Sequence, residues 1–234
     1  MEPMPETWDR AVAVVAHPDD LEYGAAAAVA RWTGQGRQVC YVLATRGEAG
    51  IAGMSPERAG PLREQEERNS AAAVGVTRVE FLGLADGVVE YGVPLRRGLA
   101  AALRSMRPDI VLTMSFDLTW GDTGPVNHSD HRAVGLAVLD GCRDAANGWL
   151  FPDAGPPWTG IRDIYVAATG APTHFVDVTA TMDAGVASLR EHQTYIDGLG
   201  GEFDADKFLR TSAESTGRIV GCTYAVSFRR YPAG

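Results

Sequence analysis

The sequence predicts an α/β fold, a mostly parallel sheet with helices on both faces, on three observations. Residues 11–16 (AVAVVA) are a run of small apolar side chains, the mark of a strand buried on both faces. Further runs of this kind alternate with helical patterns along the chain, which calls for parallel strands joined by helical crossovers. Polar clusters follow the apolar runs directly, which puts them at the carboxyl ends of strands, where open α/β sheets bind ligands.

The first strand stops at Ala16, and His17-Pro18-Asp19-Asp20 precedes an Ala-rich helical pattern over 21–32. Its run Ala25 to Ala28 suits close packing of helix on sheet. Residues 38–44 are a second strand ending in Thr45-Arg46-Gly47-Glu48. Residues 49–60, rich in Gly and Ala, are expected to form a long loop of the kind that covers sites. Pro61, at a first helical position, opens a helix over 62–74 that Gly75 closes. A short strand over 79–82 leads to Gly83-Leu84-Ala85-Asp86-Gly87. Leu95, Leu99, Leu103 and Met106 lie at helical spacing in 94–107, Pro108 ends that helix, and 109–114 is a fourth strand. Residues 115–127, with Trp120, Gly121, Asp122, Gly124 and Pro125, form a loop before a helix that begins around His128 and runs to about Ala146. The Gly/Pro-rich stretch 152–160 is a surface connection. Strands over 161–169 and 174–178 are expected to pair as a hairpin at the C-terminal sheet edge. Helices over 179–196 and 204–214 and a strand over 222–228 complete the chain. The sum is a Rossmann-like three-layer α/β/α arrangement, read as one domain over 1–234 with residues 1–10 as an N-terminal extension.

At 234 residues the chain can bury a substantial core, and 45% hydrophobic with 22% charged residues is ordinary for a globular protein. A net charge of −9, with Lys207 the sole lysine, leaves no basic cluster, so nucleic acid is not expected as a partner. No window nears ~18 uninterrupted apolar residues, so membrane insertion is not expected. The acidic first ten residues lack the pattern of a secretion signal. Cys40, Cys142 and Cys222 are scattered and suit small core positions in a reducing compartment, which makes the cytoplasm the expected location.

His17 and Asp20 are three residues apart across the strand-to-helix turn. His128 and His131 are three apart at a helix start and share a face. Two imidazoles and one carboxylate with an open position form the hydrolytic zinc arrangement, in which the metal lowers the pKa of water toward ~7 and polarises a carbonyl. Such a site needs a general base, and Asp19, beside Asp20 but directed elsewhere, suits that role. One histidine remains as an oxyanion stabiliser or general acid. Asp130 is placed to hold a neighbouring imidazole by its second ring nitrogen. Each motif has an everyday alternative: Asp-Asp after a strand is commonly a helix N-cap, and His-x-x-His is often solvated surface. Their coincidence at one rim of a sheet favours the metal.

These segments resemble the PIG-L/LmbE family of zinc-dependent deacetylases, which includes N-acetylglucosaminylphosphatidylinositol de-N-acetylases and the deacetylases of mycothiol and bacillithiol biosynthesis. The family's Ala-His-Pro-Asp-Asp-x-Glu segment stands at Ala16 to Glu22, and its His-x-Asp-His segment at His128 to His131. Thr45 to Glu48, Arg63 and Glu66, Asp86-Gly87 and Arg107-Pro108-Asp109 also match, so the resemblance covers roughly residues 11–145. It implies one Zn2+ per chain, or another divalent metal such as Fe2+, on His17, Asp20 and His131. It makes Asp19 the general base, His128 the stabiliser of the oxyanion and a donor to the leaving amine, and Asp130 the residue that tunes the adjacent histidine. Arg63 and Asp86 match positions that hold substrate hydroxyls. Arg46 and Glu48 either line the site or pair with each other, and Trp120 offers a sugar-stacking face. Glu22 fits a helical first turn better than a ligand, and a lone histidine such as His192 is more commonly structural.

The resemblance implies hydrolysis of an N-acyl amide, foremost N-acetyl, on an amino sugar or related glycoside, in a protein compatible with a homo-oligomer. Val126 stands where some sugar deacetylases of the family carry Tyr, and Val226 where many members carry Glu; both departures bear on substrate more than on metal. An amidase acting on a thiol conjugate or another acylated small molecule is the close alternative. A nucleotide-binding module would need a Gly-rich phosphate loop after the first strand, where His17 to Asp20 would instead repel phosphate.

Overall fold

The computed structural model describes residues 1–121, 123–198 and 204–233; Asp122 of the loop expected over 115–127 lies outside them. In chain order the elements are β1 (Glu2–Pro3), β2 (Arg10–Val15), α1 (Asp20–Gly24), α2 (Ala26–Gly34), β3 (Gln38–Leu43), α3 (Pro56–Ala73), β4 (Arg78–Phe81), α4 (Val93–Met106), β5 (Ile110–Met114), α5 (Ser129–Ala146), β6 (Asp163–Ala167), β7 (His174–Asp177), α6 (Met182–Arg190), α7 (Gln193–Gly198), α8 (Ala205–Val220) and β8 (Ala225–Pro232). The eight strands of the described residues join one sheet in the order β1-β7-β8-β6-β5-β2-β3-β4. Neighbours pair in parallel except β8, which runs antiparallel to β6 and β7. The three-layer, mostly parallel fold expected from the sequence is the fold observed.

Alternation along β2 explains the layers. Ala11, Ala13 and Val15 pack with Val29, Trp32, Met182 and Leu209 on the face covered by α2, α6 and α8. Val12, Val14 and Ala16 pack with Leu99, Leu103, Val134 and Val138 on the face covered by α4 and α5. The alanine run lets α2 lie close to its neighbour: a Cβ on Gly185 of α6 would come within 2.7 Å of the Ala27 Cβ. No helix among the described residues is long and apolar enough to cross a membrane.

From β2 the chain winds outward through β3 and β4, then returns to β5 on the other side of β2. The reversal makes the carboxyl ends of β2 and β5 the switch point, where such sheets open a crevice. His17 follows β2, and the segment leading to His128 follows β5.

Several expected elements differ. The C-terminal hairpin is absent: Ala167 at the end of β6 and His174 at the start of β7 both face Phe228, on opposite sides of β8. The turn-forming residues Gly170 to Pro172 carry the chain across β8 instead of reversing it. Strand β8 also starts later than expected and continues through Arg229 and Arg230, because its register with β6 extends to Asp163 opposite Pro232. Helix α3 begins at Pro56, so the loop expected over 49–60 is shorter and Pro61 sits inside the helix, where one N–H rung is missing. The single helix expected over 21–32 breaks at Ala25, and that over 179–196 breaks around His192. Residues 2–3 of the extension form the edge strand β1 against β7.

Candidate active site

The polar clusters meet at the switch point. His17 leaves the end of β2, and Asp20 starts α1 with its Oδ2 accepting the N–H groups of Ala16 and His17, both at 3.0 Å. Those bonds fold the turn so that Asp20 faces back over the strand end. Across the crevice, the His128 ring caps α5 by accepting the Asp130 N–H through Nδ1 at 3.2 Å. Asn127 fixes the approach: its amide donates to the carbonyls of Ser115 and Asp117, and its Oδ1 accepts the His128 N–H.

His17, Asp20 and His131 bring one donor atom each within 4.8 Å of one another. His17 Nδ1 is 3.1 Å from His131 Nε2, which is 3.0 Å from Asp20 Oδ1. The outer nitrogens are already engaged. His17 Nε2 faces Asp86 Oδ1 at 3.0 Å and Asp130 Oδ2 at 3.3 Å, and His131 Nδ1 faces Asn127 Oδ1 at 2.9 Å. With protons on those outer nitrogens, two imidazole lone pairs and a carboxylate oxygen converge on one point, a donor set that fits a divalent cation. Without a cation the same surroundings protonate His17. Burial opposes this, but hydrogen bonds to Asp130 and Asp86 and the charge of Asp20 raise its pKa to about 10. Burial also works against an ionised Asp20, yet the charge of His131 and its hydrogen bond hold that carboxyl well below the ordinary range.

Asp19 is buried at the same turn. Burial pushes its carboxyl up to about 7 against the pull of Arg63, whose Nη2 donates to Asp19 Oδ2 at 2.9 Å. Arg63 also donates to the carbonyls of Pro18 and Gly47, and its guanidinium stacks over Tyr195 at 4.2 Å. Burial, then the nearby charge of His17, lower the pKa of His128. Because its Nδ1 accepts the cap bond, the hydrogen-bond pattern assigns its proton to Nε2, which makes His128 a donor.

These groups border a cavity of about 630 Å³ whose lining includes His17, Asp19, Asp20, Arg63, Asp86, Trp120, His128 and His131. Trp120 meets His131 edge-on, ring centroids 5.7 Å apart. Three expectations change. Arg46 is not among the lining residues; its side chain packs against Gly60 of α3, while Glu48 binds the backbone N–H groups of Arg46 and Asp86. Asp86 lines the cavity, but its carboxylate is committed to His17 and to the Ala49 N–H. Asp130, fully buried, faces an imidazole by its outer ring nitrogen, but the imidazole is that of His17 and not of a histidine on its own helix; it also accepts the N–H groups of Gly87 and Val89. Tyr23, Tyr195, Phe208 and Ser212 also line the cavity and were not foreseen. The last three come from helices far along the chain, whose pattern carries only their packing faces.

Residues 12–142 match the family described as PIG-L, GlcNAc-PI de-N-acetylase. The chain is 27% identical over 225 residues to a diacetylchitobiose deacetylase of Thermococcus kodakarensis, covering 92% of this chain and 80% of that one. It is 26% identical over 251 aligned residues to a 1D-myo-inositol 2-acetamido-2-deoxy-alpha-D-glucopyranoside deacetylase of Thermomonospora curvata, covering 82% of each. In three dimensions it resembles the N,N'-diacetylchitobiose deacetylase of Pyrococcus horikoshii complexed with its inhibitor MPG, with a TM-score of 0.86 and 24% identity over 97% of this chain and 85% of that one. At that identity the likeness speaks for the fold alone. The family match spans more than half of the sequence and contains both histidine motifs. On that match, the chain belongs to the PIG-L (GlcNAc-PI de-N-acetylase) family.

Proposed function

We propose that the protein is a metal-dependent N-deacetylase that removes the acetyl group from an amino sugar or related glycoside. One observation carries this reading. The inward-facing donors of His17, Asp20 and His131 converge beside a buried carboxyl, Asp19, and a histidine, His128, whose Nδ1 caps α5, on a shared cavity. When bound there, the divalent cation, Zn2+ in this reading, acidifies water and polarises the amide carbonyl.

The remaining work falls to the chain. Asp19 takes a proton from the attacking water as oxygen bonds to the acyl carbon, and the Arg63 guanidinium favours the ionised form of that carboxyl against its burial. The Nε2–H of His128 donates to the oxygen that gains negative charge. The C–N bond then breaks as Asp19 returns its proton to the nitrogen, and acetic acid and a free amine leave, which ionise in water to acetate and ammonium. Asp86 and Asp130 hold His17 by Nε2, and Asn127 holds His131 by Nδ1. Trp120 is our choice for the face on which a sugar ring rests. The three free cysteines favour a reducing compartment, the cytoplasm.

Acetate release from a panel tests this reading: N-acetylglucosamine, N,N'-diacetylchitobiose, an N-acetylglucosaminyl inositol and an N-acetylcysteine conjugate, with purified, zinc-loaded protein. Turnover of one or more amino sugars above the thiol conjugate is expected. Turnover of the thiol conjugate alone would move the activity to the amidase alternative.

A further inference from the structure

Behind the cavity, three ionisable side chains that the chemistry above does not use meet in the interior. Glu22 of α1, Glu67 of α3 and His192, at the break between α6 and α7, are at most 2% exposed. His192 Nε2 lies 3.6 Å from Glu67 Oε2 and 3.8 Å from Glu22 Oε2, and neither ring nitrogen has a hydrogen-bond partner among the described residues. Ser70 donates to Glu22 Oε1 at 2.6 Å and meets Ser188 at 2.7 Å. A side-chain contact leads out of this cluster toward the cavity: Glu67 Oε2 accepts the backbone N–H of Asp19 at 3.2 Å.

Asp19 needs such a hold. Its backbone lies at φ +90°, a left-handed conformation that costs free energy for any residue with a Cβ and persists only where the surroundings impose it. The Asp19 carbonyl accepts the N–H groups of Glu22 and Tyr23, which pins the side toward α1. From the other side, Arg63 binds the Asp19 carboxylate and the Pro18 carbonyl, and Glu67 binds the Asp19 N–H. Arg63 and Glu67 are four residues apart and share one face of α3. A single helical turn therefore grips both the side chain and the backbone of Asp19.

We infer that Glu67 is a positioning residue for the reaction, holding the Asp19 N–H and so the aim of the base, with His192 and Glu22 packed against Glu67 from behind. The inference rests on the proposed role of Asp19 as general base. It would place the buried interior behind the cavity, not only the cavity wall, in control of turnover.

The test compares zinc-loaded wild type, Asp19→Asn, Glu67→Gln and Glu67→Met in steady-state kinetics on the best N-acetylated amino sugar, with metal content measured for each. Glu67→Met keeps the volume and removes the acceptor, whereas Glu67→Gln keeps an acceptor oxygen. The expected result is a loss of kcat of about 10–100-fold in Glu67→Met at unchanged KM and metal content, and recovery to within about threefold of wild type in Glu67→Gln. Should Glu67→Met not fold, Glu67→Ala is measured and read in the same way. Wild-type kcat without the acceptor, or Glu67→Gln as slow as Glu67→Met, would overturn the inference. So would a second equivalent of metal in wild type that Glu67→Gln loses, since the cluster would then be an ion site. An Asp19→Asn protein that keeps wild-type kcat would instead remove the general-base reading itself.

Discussion

Asp19 and Arg63 form an ion pair at 2.9 Å with both side chains almost wholly removed from solvent. Burial raises the Asp19 carboxyl and Arg63 lowers it, so the ionised fraction of the base depends on the guanidinium. The base works deprotonated, and the rate should therefore fall as pH drops through its pKa. Replacing Arg63 by Met removes a lowering influence, so the acid limb of kcat/KM should move to higher pH, by about 1–3 units. An unmoved limb would show that another group sets it.

Metal removal should expose a second pH dependence. In the metal-free protein His17 titrates near 10, above its ordinary value of 6.5. A group with a raised folded pKa contributes stability that is fully present below its unfolded pKa and lost as pH rises through the folded one. The chelated protein should therefore lose thermal stability between pH 6.5 and about 10. Binding of the metal through Nδ1 of His17 requires loss of that proton, so calorimetry near pH 7.5 in buffers of different ionisation enthalpy should register release of about one proton.

His128 combines two tasks that substitution can separate. As the cap of α5 it accepts the Asp130 N–H, and as an Nε2–H donor it faces the cavity. His128→Ala should lower kcat by roughly 100–1000-fold with metal retained, and stability by about 1 kcal/mol. His128→Asn should recover the stability, because its carboxamide oxygen still caps the helix, while the rate stays low. Thermal melts and kinetics on the two variants check both halves.

Far from the cavity, Arg104 secures the segment after α5. Buried in α4, it donates to the carbonyls of Asp144, Ala145, Asn147, Leu150, Phe151 and Gly155, and so satisfies the end of one helix and the loop beyond it. Arg104→Met would strand those carbonyls at a cost of roughly 3–5 kcal/mol, or a fall in Tm on the order of 10 °C. Arg104→Lys, a point donor in place of a planar fork, should recover only part of that loss. Metal content should be unaffected in both.

The sequence made the carboxyl ends of the strands legible, because an apolar run followed at once by His-Pro-Asp-Asp leaves little choice of where the polar groups lie. It also paired two motifs that are 111 residues apart by position, His17 and His128, and the switch point between β2 and β5 explains how the chain brings them together. What could not be read was direction. Nothing local says that Asp86 and Asp130 turn to His17, or that Arg46 packs on Gly60 and away from the cavity. Pro61 misled because a proline marks a helix start more often than a helix interior, while Pro56 carried the true start. The hairpin failed for a related reason: Gly170 to Pro172 specify a change of path, and only the register of β8 with both β6 and β7 decides what the path crosses.

Metal content measured together with acetate release, on wild type and His131→Ala, decides whether the protein is a metal-dependent deacetylase. His131 supplies one of the three converging donors from the first turn of α5, and its replacement by Ala should leave the fold intact. About one zinc per wild-type chain is expected, with metal and acetate release from an N-acetylated amino sugar lost together in the variant. A folded, metal-free wild type that stays inert when zinc is restored, or a His131→Ala protein that keeps full activity, would contradict it.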